Sequence, residues 1–192
     1  MRDQYKVLAE KYEQVLEAGQ EPVMTVNKSG EFFQKEWRLN GKLHRLDGPA
    51  IERADGTESW FHNGSLHRLD GPAIEGADGT TVWKRHGKFH RLDGPAIELA
   101  DGTKQWLRNG MHHRLDGPAI EWASGAKEWW QNGKRHRLDG PAVINADGSM
   151  TWFINGKYYS EDAFNKEIWY RNPTRRNILK KASSKAGIEM DI

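Results

Sequence analysis

The sequence contains no cysteine and no long apolar run, and its charges are almost balanced. The absence of cysteine excludes disulfide bonds and thiolate metal sites as sources of stability. No segment approaches the roughly 20 apolar residues of a membrane-spanning helix, and the first residues lack the apolar core of a signal peptide. A net charge of +2 is too small for binding DNA or an anionic membrane through overall charge. We therefore expect a soluble, cytoplasmic protein that does not bind membranes.

The sequence instead contains a strict repeat. The heptapeptide His-Arg-Leu-Asp-Gly-Pro-Ala occurs five times without substitution, each copy beginning 23 residues after the one before. The copies begin at His44, His67, His90, His113 and His136. Tryptophan keeps the same period, at Trp37, Trp60, Trp83, Trp106, Trp129 and Trp152. A period of this length indicates stacked supersecondary units. Because a catalytic site is normally built once, a motif in five copies favours an architectural role.

Two turn signals in each repeat predict its local structure. The first is Asn-Gly, which suits a type I′ turn because both central residues need a positive φ. It stands at Asn40-Gly41, Asn63-Gly64, Asn109-Gly110, Asn132-Gly133 and Asn155-Gly156, with His86-Gly87 in the remaining repeat. The second is Asp-Gly, at Asp55-Gly56, Asp78-Gly79, Asp101-Gly102 and Asp147-Gly148, with Ser124-Gly125 in its place once. The pattern predicts a mainly β fold, a single-layer antiparallel β-hairpin repeat array.

Counting outward from a two-residue Asp-Gly loop predicts how the strands pair. Around Asp78-Gly79, the count places Ile74 opposite Trp83. The equivalent pairs are Ile51/Trp60, Ile97/Trp106, Ile120/Trp129 and Val143/Trp152. Each aromatic–β-branched pair contributes roughly 0.2–1 kcal/mol. We expect these pairs to form one apolar stripe along one face of the sheet.

The string Trp-x-x-Asn-Gly-Lys-x-His, followed by Asp-Gly and the next Trp, resembles the MORN repeat. The exact heptapeptide resembles the MORN-like repeat proteins of bacteriophage and giant viruses still more closely. The resemblance covers roughly residues 37–160. It implies a MORN-like array that serves as an interaction scaffold and is not an enzyme. It also suggests an inhibitor encoded by a phage, acting on a host protein in the host cytoplasm.

The two ends of the chain predict caps for this array. Residues 1–20 contain an amphipathic pattern typical of a helix, and residues 21–159 hold the five repeats after an irregular opening hairpin. Residues 160–192 begin with Ser160 as a helix N-cap and continue into a basic tail. Phe164, Ile168 and Trp169 give this second helix an apolar face. Helices at both ends would protect the open edges of the sheet.

The basic tail supports a different function. Six basic residues occur between positions 171 and 185 without an acidic one: Arg171, Arg175, Arg176, Lys180, Lys181 and Lys185. Such a segment is able to bind a phosphate backbone, which makes nucleic-acid or nucleotide binding the alternative function. The same composition is also typical of a solvated terminal tail.

The His and Asp residues of the heptapeptide do not predict a metal site. Metal ligands must converge on one point, whereas equivalent residues of a β-array lie about 10 Å apart. We expect the Asp to accept hydrogen bonds from backbone N–H groups or from the neighbouring Arg. There is no cysteine nucleophile, and no phosphate-binding or dinucleotide-binding motif. We therefore expect no metal, no cofactor and no enzymatic activity.

Positions that vary between repeats are where a partner would be selected. By the count above, one such set lies on the face opposite the Ile/Trp stripe, and Trp122 lies off the period. Large apolar side chains on an exposed face are typical of interaction surfaces, and tryptophan is enriched in binding hot spots. The candidate partner-binding residues are Phe61, Leu107, Trp122, Trp130 and Phe153. They predict a non-catalytic scaffold that binds a protein partner; the oligomeric state stays open.

Overall fold

A computed structural model describes residues 21–29 and 32–171. The mainly β fold is confirmed over these residues, which form 22 short strands and one helix. The strands are β1 (Val23–Ser29), β2 (Phe32–Leu39), β3 (Lys42–Leu43), β4 (Ile51–Arg53), β5 (Glu58–Ser59), β6 (Phe61–His62), β7 (Ser65–Leu66), β8 (Ile74–Glu75), β9 (Thr81–Val82), β10 (Lys84–Arg85), β11 (Lys88–Phe89), β12 (Ile97–Glu98), β13 (Lys104–Gln105), β14 (Leu107–Arg108), β15 (Met111–His112), β16 (Ile120–Glu121), β17 (Lys127–Glu128), β18 (Trp130–Gln131), β19 (Lys134–Arg135), β20 (Val143–Ile144), β21 (Met150–Ile154) and β22 (Lys157–Tyr159). The helix is α1 (Glu161–Arg171). The helix predicted within residues 1–20 lies outside the described residues.

The chain divides into two compact units, Met1–Met111 and His112–Ile192. In the first unit the sheet runs in the order β1-β2-β4-β5-β8-β9-β12-β13, and β3 pairs with β2. In the second unit the order is β16-β17-β20-β21-β22. The pairs are antiparallel, as for β4 with β5 and β20 with β21. Each unit is therefore a meander in which successive repeats add neighbouring strands.

Four of the periodic tryptophans, Trp60, Trp83, Trp106 and Trp129, separate two short strands, whereas Trp37 and Trp152 lie within β2 and β21. In the second repeat, β5 ends at Ser59 and β6 begins at Phe61. Between them, the Trp60 N–H donates to the Ala73 carbonyl at 2.9 Å, and the Trp60 carbonyl accepts from the His67 N–H at 3.0 Å. Beyond this break, β6 pairs with β7 in a separate two-stranded sheet, as do β10 with β11 and β18 with β19. The described strands thus belong either to the antiparallel meander or to short two-stranded hairpins, a division that the sequence did not predict.

The Asn-Gly turns form as predicted. Asn63 and Gly64 have φ values of 52° and 82°, which places both in the left-handed region that a type I′ turn requires. His86 and Gly87 adopt the same conformation, with φ values of 51° and 75°. Histidine is thus held where the other repeats place asparagine.

The predicted register at the Asp-Gly turns is wrong by one residue. Ile74 pairs with Val82 and not with Trp83. The same correction applies to the other four predicted pairs, because the observed partners are Ile51↔Ser59, Ile97↔Gln105, Ile120↔Glu128 and Val143↔Thr151. The reason is a three-residue loop: the Gly76 N–H bonds to the Thr80 carbonyl, and Gly79 takes a φ of 88°. A shift of one residue exchanges the faces of a strand, so the predicted Ile/Trp stripe does not form.

The core lies along a column of alanines. The last residue of every heptapeptide is fully buried: Ala50, Ala73, Ala96, Ala119 and Ala142 are each 0% exposed. The backbone at these residues bonds to the neighbouring strand, for example from the Ala50 N–H to the Ser59 carbonyl at 2.8 Å. Ile120 and Val143 are buried beside this column in the second unit. The methyl side chain leaves room for close backbone packing, which accounts for an invariant alanine.

The C-terminal cap helix forms as predicted. The Ser160 hydroxyl accepts from the Ala163 N–H at 3.3 Å, which is the expected N-cap bond. Phe164 is buried and anchors α1, which lies against β21 and β22. Glu161 and Asp162 occupy the first turn, where the helix dipole favours negative charge. Over the described ranges, no helix is long and apolar enough to cross a membrane.

Candidate binding surfaces

The histidine of each heptapeptide fastens its repeat to the next turn. The Nδ1 atom of His67 accepts from the His86 N–H at 3.0 Å, 19 residues further along. The equivalent donors are Asn63 to His44, Asn109 to His90, Asn132 to His113 and Asn155 to His136, at 3.0 to 3.2 Å. His44 and His67 are themselves buried. Each of these histidines therefore links its repeat to the next repeat along the chain.

The arginine of the heptapeptide organises the loop that follows it, and in four of the repeats it also lies over a tryptophan ring. The Arg68 guanidinium lies 3.9 Å from the centre of the Trp60 ring, close enough for a cation–π contact. Its Nε donates to Asp70 Oδ1 at 3.1 Å, and its Nη1 donates to the Pro72 carbonyl at 3.3 Å. The bond from arginine to aspartate recurs in all five loops. The prediction that the aspartate accepts from its neighbouring arginine is confirmed.

The glycine of the heptapeptide leaves room for that arginine. A Cβ atom on Gly71 would lie 2.6 Å from Arg68 Cζ, which is closer than real side chains approach. The equivalent distance at Gly140 is 3.2 Å to Arg137 Cζ, so this loop is looser. Histidine, arginine, aspartate, glycine, proline and alanine of the heptapeptide thus each have a structural task.

In the first unit, His62 and His86, which are not part of the heptapeptide, lie against the heptapeptide histidines His44 and His67. The ring centres of His44 and His62 are 4.9 Å apart, those of His62 and His67 are 5.8 Å apart, and those of His67 and His86 are 4.5 Å apart. Burial, followed by the neighbouring His86 and His62, lowers the pKa of His67 to about 4. Within residues 21–29 and 32–171, no group of three His, Cys, Asp or Glu side chains is arranged to hold a metal ion.

A cleft opens between the first two heptapeptide loops of the first unit. Its volume is about 410 Å³. Its walls include Leu46 and Asp47 from one loop and Leu69 and Asp70 from the next, with Trp60 between them. The sequence does not reveal this cleft, because only the stacking of two identical loops creates it.

The five residues predicted to bind a partner are divided between the two units and differ in exposure. Phe61 and Leu107 lie in the first unit, whereas Trp122, Trp130 and Phe153 lie in the second. Leu107 is only 4% exposed and belongs to the core, while Phe61, Trp130 and Phe153 are half-buried. Trp122 is the exposed member, at 41%.

Two of the three candidates in the second unit, Trp122 and Trp130, bond to one carboxylate, and the third, Phe153, lies near the arginine that pairs with it. Trp122 Nε1 donates to Glu128 Oε1 at 3.3 Å, and Trp130 Nε1 donates to Glu128 Oε2 at 3.0 Å. Arg135 Nε donates to the same Oε2 at 3.0 Å. The Arg135 guanidinium also lies 5.2 Å from the Trp130 ring and 5.5 Å from the Phe153 ring. We call these five side chains the Trp122 cluster.

Sequence reasoning missed two members of the Trp122 cluster, Glu128 and Arg135. A signal was present, because Glu128 stands where four of the equivalent positions hold an uncharged residue, Ser59, Val82, Gln105 or Thr151, and only Glu36, before Trp37, is also acidic. Similarly, Arg135 replaces uncharged residues at its position in the neighbouring repeats. The paired appearance of opposite charges at two variable positions indicates that they meet in the fold.

Of the six basic residues that suggested nucleic-acid binding, the structure describes one. Arg171 ends α1, and its Nε donates to Glu167 Oε1 at 2.9 Å. Arg175, Arg176, Lys180, Lys181 and Lys185 lie outside the described residues.

Comparison with known proteins yields no relative. No family model matches the chain, and searches of curated proteins and of solved structures also gave no match. The resemblance to MORN-like viral repeat proteins therefore stays a prediction.

Proposed function

We propose that the chain is a non-catalytic repeat scaffold that binds a protein partner, and that the Trp122 cluster is its main contact surface. The observation that carries this proposal is the position of Trp122. Its side chain is 41% exposed although it belongs to an ordered hydrogen-bonded group. A large aromatic side chain held in place at a surface offers contact area at little entropic cost, as hot-spot residues do.

The repeats around the cluster support the same function. The heptapeptide positions that build the fold are identical, and the residues of the Trp122 cluster are among those that differ between repeats. Variation at an exposed site within a fixed framework is how one scaffold acquires a particular partner. The resemblance to viral repeat proteins makes a host protein the first partner to test, and inhibition of that protein is the corresponding activity.

Affinity capture tests this proposal. The full chain is used as bait in a host lysate treated with nuclease, at low and at high salt, and retained proteins are identified by mass spectrometry. We expect one protein to remain at high salt and to be lost with Trp122→Ala. Met150→Ala, which also removes an exposed apolar side chain of the second unit, serves as the matched control and should retain it.

The alternative function, nucleic-acid or nucleotide binding, predicts a different result. Binding through the basic residues Arg171–Lys185 would bring down nucleic acid before nuclease treatment and lose it steeply with salt. Such a result, without a protein retained at high salt, would replace the scaffold proposal.

A further inference from the structure

The leucine of the heptapeptide has no structural task that explains its repetition. The other six residues bond, stack or pack within the fold, but the leucine side chains point largely to solvent. The exposed fractions are 39% for Leu46, 60% for Leu92, 72% for Leu115 and 45% for Leu138, and Leu69 is half-buried. An invariant apolar residue in this position is unfavourable for solubility, so the fold alone does not account for it.

Common descent of the repeats does not account for it either. Another exposed position, directly after the first turn, is not uniform: it is lysine at Lys42, Lys88, Lys134 and Lys157, but Ser65 and Met111 replace it in two repeats. If copies had simply stayed alike, this position would be uniform as well. The leucines are identical in all five repeats although their exposure would permit other residues. This indicates that contact with another molecule, and not folding, requires leucine here.

The residue after each leucine gives the surface its charge. The aspartate side chains are 74% to 86% exposed although each accepts a bond from its arginine. In two loops of the first unit the arginine also faces a glutamate: Arg68 faces Glu75 at 2.7 Å, and Arg45 faces Glu52 at 3.2 Å, where Lys35 pairs with the same carboxylate. The arginines of these pairs are only 20% to 24% exposed, so the outermost charge beside each leucine is the aspartate carboxylate, which attracts cationic groups and repels phosphate.

The spacing of the loops defines the shape of a complementary partner. Each repeat adds two strands, so neighbouring leucines within a unit lie about 10 Å apart, which equals about three residues of extended chain. The cleft of about 410 Å³ between Leu46 and Leu69, with Trp60 beside it, has room for an apolar side chain.

We propose that the leucine-aspartate loops of the first unit bind an extended polypeptide segment that carries an apolar residue at every third position, with lysine or arginine between. Leu46, Leu69 and Leu92 contact the apolar residues, and Asp47, Asp70 and Asp93 face the cations. This inference rests on the proposed protein-binding function, but it places a contact on a surface separate from the Trp122 cluster. Leu115 and Leu138 offer the same chemistry in the second unit.

A designed peptide tests the inference without knowledge of the natural partner. The probe is a fluorescent synthetic peptide that repeats Leu-Lys-Thr, and its binding to the full chain is measured by anisotropy. Two controls keep its length, one with serine for leucine and one with glutamate for lysine. We expect the probe to bind, with a salt-dependent affinity, and both controls to lose about tenfold or more.

The matching protein variant is Leu46→Ser with Leu69→Ser and Leu92→Ser. These side chains are exposed or half-buried, so the thermal unfolding curve should stay within a few degrees of the original, while probe affinity falls about tenfold or more. Trp122→Ala should leave probe binding unchanged. Failure of the probe to bind, or equal binding to the triple variant or to the glutamate control, would overturn the inference. If the triple variant retains the captured partner and Trp122→Ala loses it, this inference alone is overturned. If both variants retain the partner, both proposals are contradicted.

Discussion

The Nδ1 atom of His67 accepts a hydrogen bond from the backbone N–H of His86, 3.0 Å away in the following repeat. Only a neutral imidazole with its proton on Nε2 is able to accept this bond. The ring also lies against two other histidines and is almost fully buried. Protonation of His67 therefore removes an acceptor and places a charge among groups that repel it, and this relationship couples the repeat contact to pH.

Acid is predicted to destabilise the first unit. The pKa of His67 is about 4 in the fold against 6.5 in the unfolded chain, so the unfolded chain binds the extra proton first as the pH falls. The stability that His67 contributes is complete above pH 6.5 and declines as the pH falls towards 4. The loss is about 2 kcal/mol between pH 7 and pH 5 and about 3 kcal/mol by pH 4. Urea unfolding at these pH values measures it.

His67→Gln is the control for this effect, because its amide oxygen is able to accept the same N–H but does not titrate. The variant should show a flatter dependence of unfolding free energy on pH, by about 2 kcal/mol between pH 7 and pH 5. An unchanged slope would show that His67 is not the group responsible.

His86→Asn is predicted to stabilise the protein. His86 occupies a turn position with a φ of 51°, which asparagine adopts more readily, and every equivalent turn carries asparagine. Burial is the main cause of the lowered pKa of His67, and the repulsion from His86 that adds to it acts only at acid pH, so the gain at neutral pH comes from the turn. We expect a gain of about 0.5–1 kcal/mol at neutral pH in chemical unfolding. A loss of stability would mean that the His67–His86 ring contact outweighs the turn preference.

Gly71→Ala is predicted to destabilise the protein more than the equivalent Gly140→Ala. The new Cβ would lie 2.6 Å from Arg68 Cζ in the first case and 3.2 Å from Arg137 Cζ in the second. To make room, Arg68 must leave Trp60 or its bond to Asp70, which costs about 1–2 kcal/mol. The difference between the two variants in urea unfolding isolates this cost. Equal effects would contradict the role assigned to the arginine.

Glu128→Gln tests whether the carboxylate organises the Trp122 cluster. Glutamine is close in shape and is the native residue at the equivalent position 105, but it loses the charge that Arg135 Nε faces at 3.0 Å. We expect a loss of about 1–2 kcal/mol and a change in tryptophan fluorescence, because two indole N–H groups lose a charged acceptor. Unchanged fluorescence and stability would show that the cluster does not depend on Glu128.

The repeat and the turns could be predicted from sequence because their signals are local. Asn63 and Gly64 specify positive φ by their own chemistry, and the structure places them as expected. The register could not be predicted reliably, because Asp78-Gly79 fits both a two-residue loop and the three-residue loop that forms. The one extra loop residue shifts the pairing partner of Ile74 and of its equivalents in the other repeats by one position.

The binding surfaces were less predictable because they depend on contacts between distant positions. Leu107 is a large apolar residue at a variable position, which suggested a contact residue, but it is buried. Glu128 and Arg135 were overlooked, although Glu128 accepts bonds from Trp122, Trp130 and Arg135. The sequence does not distinguish the exposed leucines from the buried alanines, because both Leu46 and Ala50 belong to the same invariant heptapeptide. Exposure separates them, and exposure is a property of the fold.

The most direct test of the scaffold function is quantitative affinity capture with the original chain and Trp122→Ala, after nuclease treatment and at high salt. The account predicts one protein that the original chain retains and the variant loses at least about tenfold, with both chains folded alike. Recovery of no protein at high salt, or equal recovery by the two chains, would contradict the assignment of the Trp122 cluster as the contact surface.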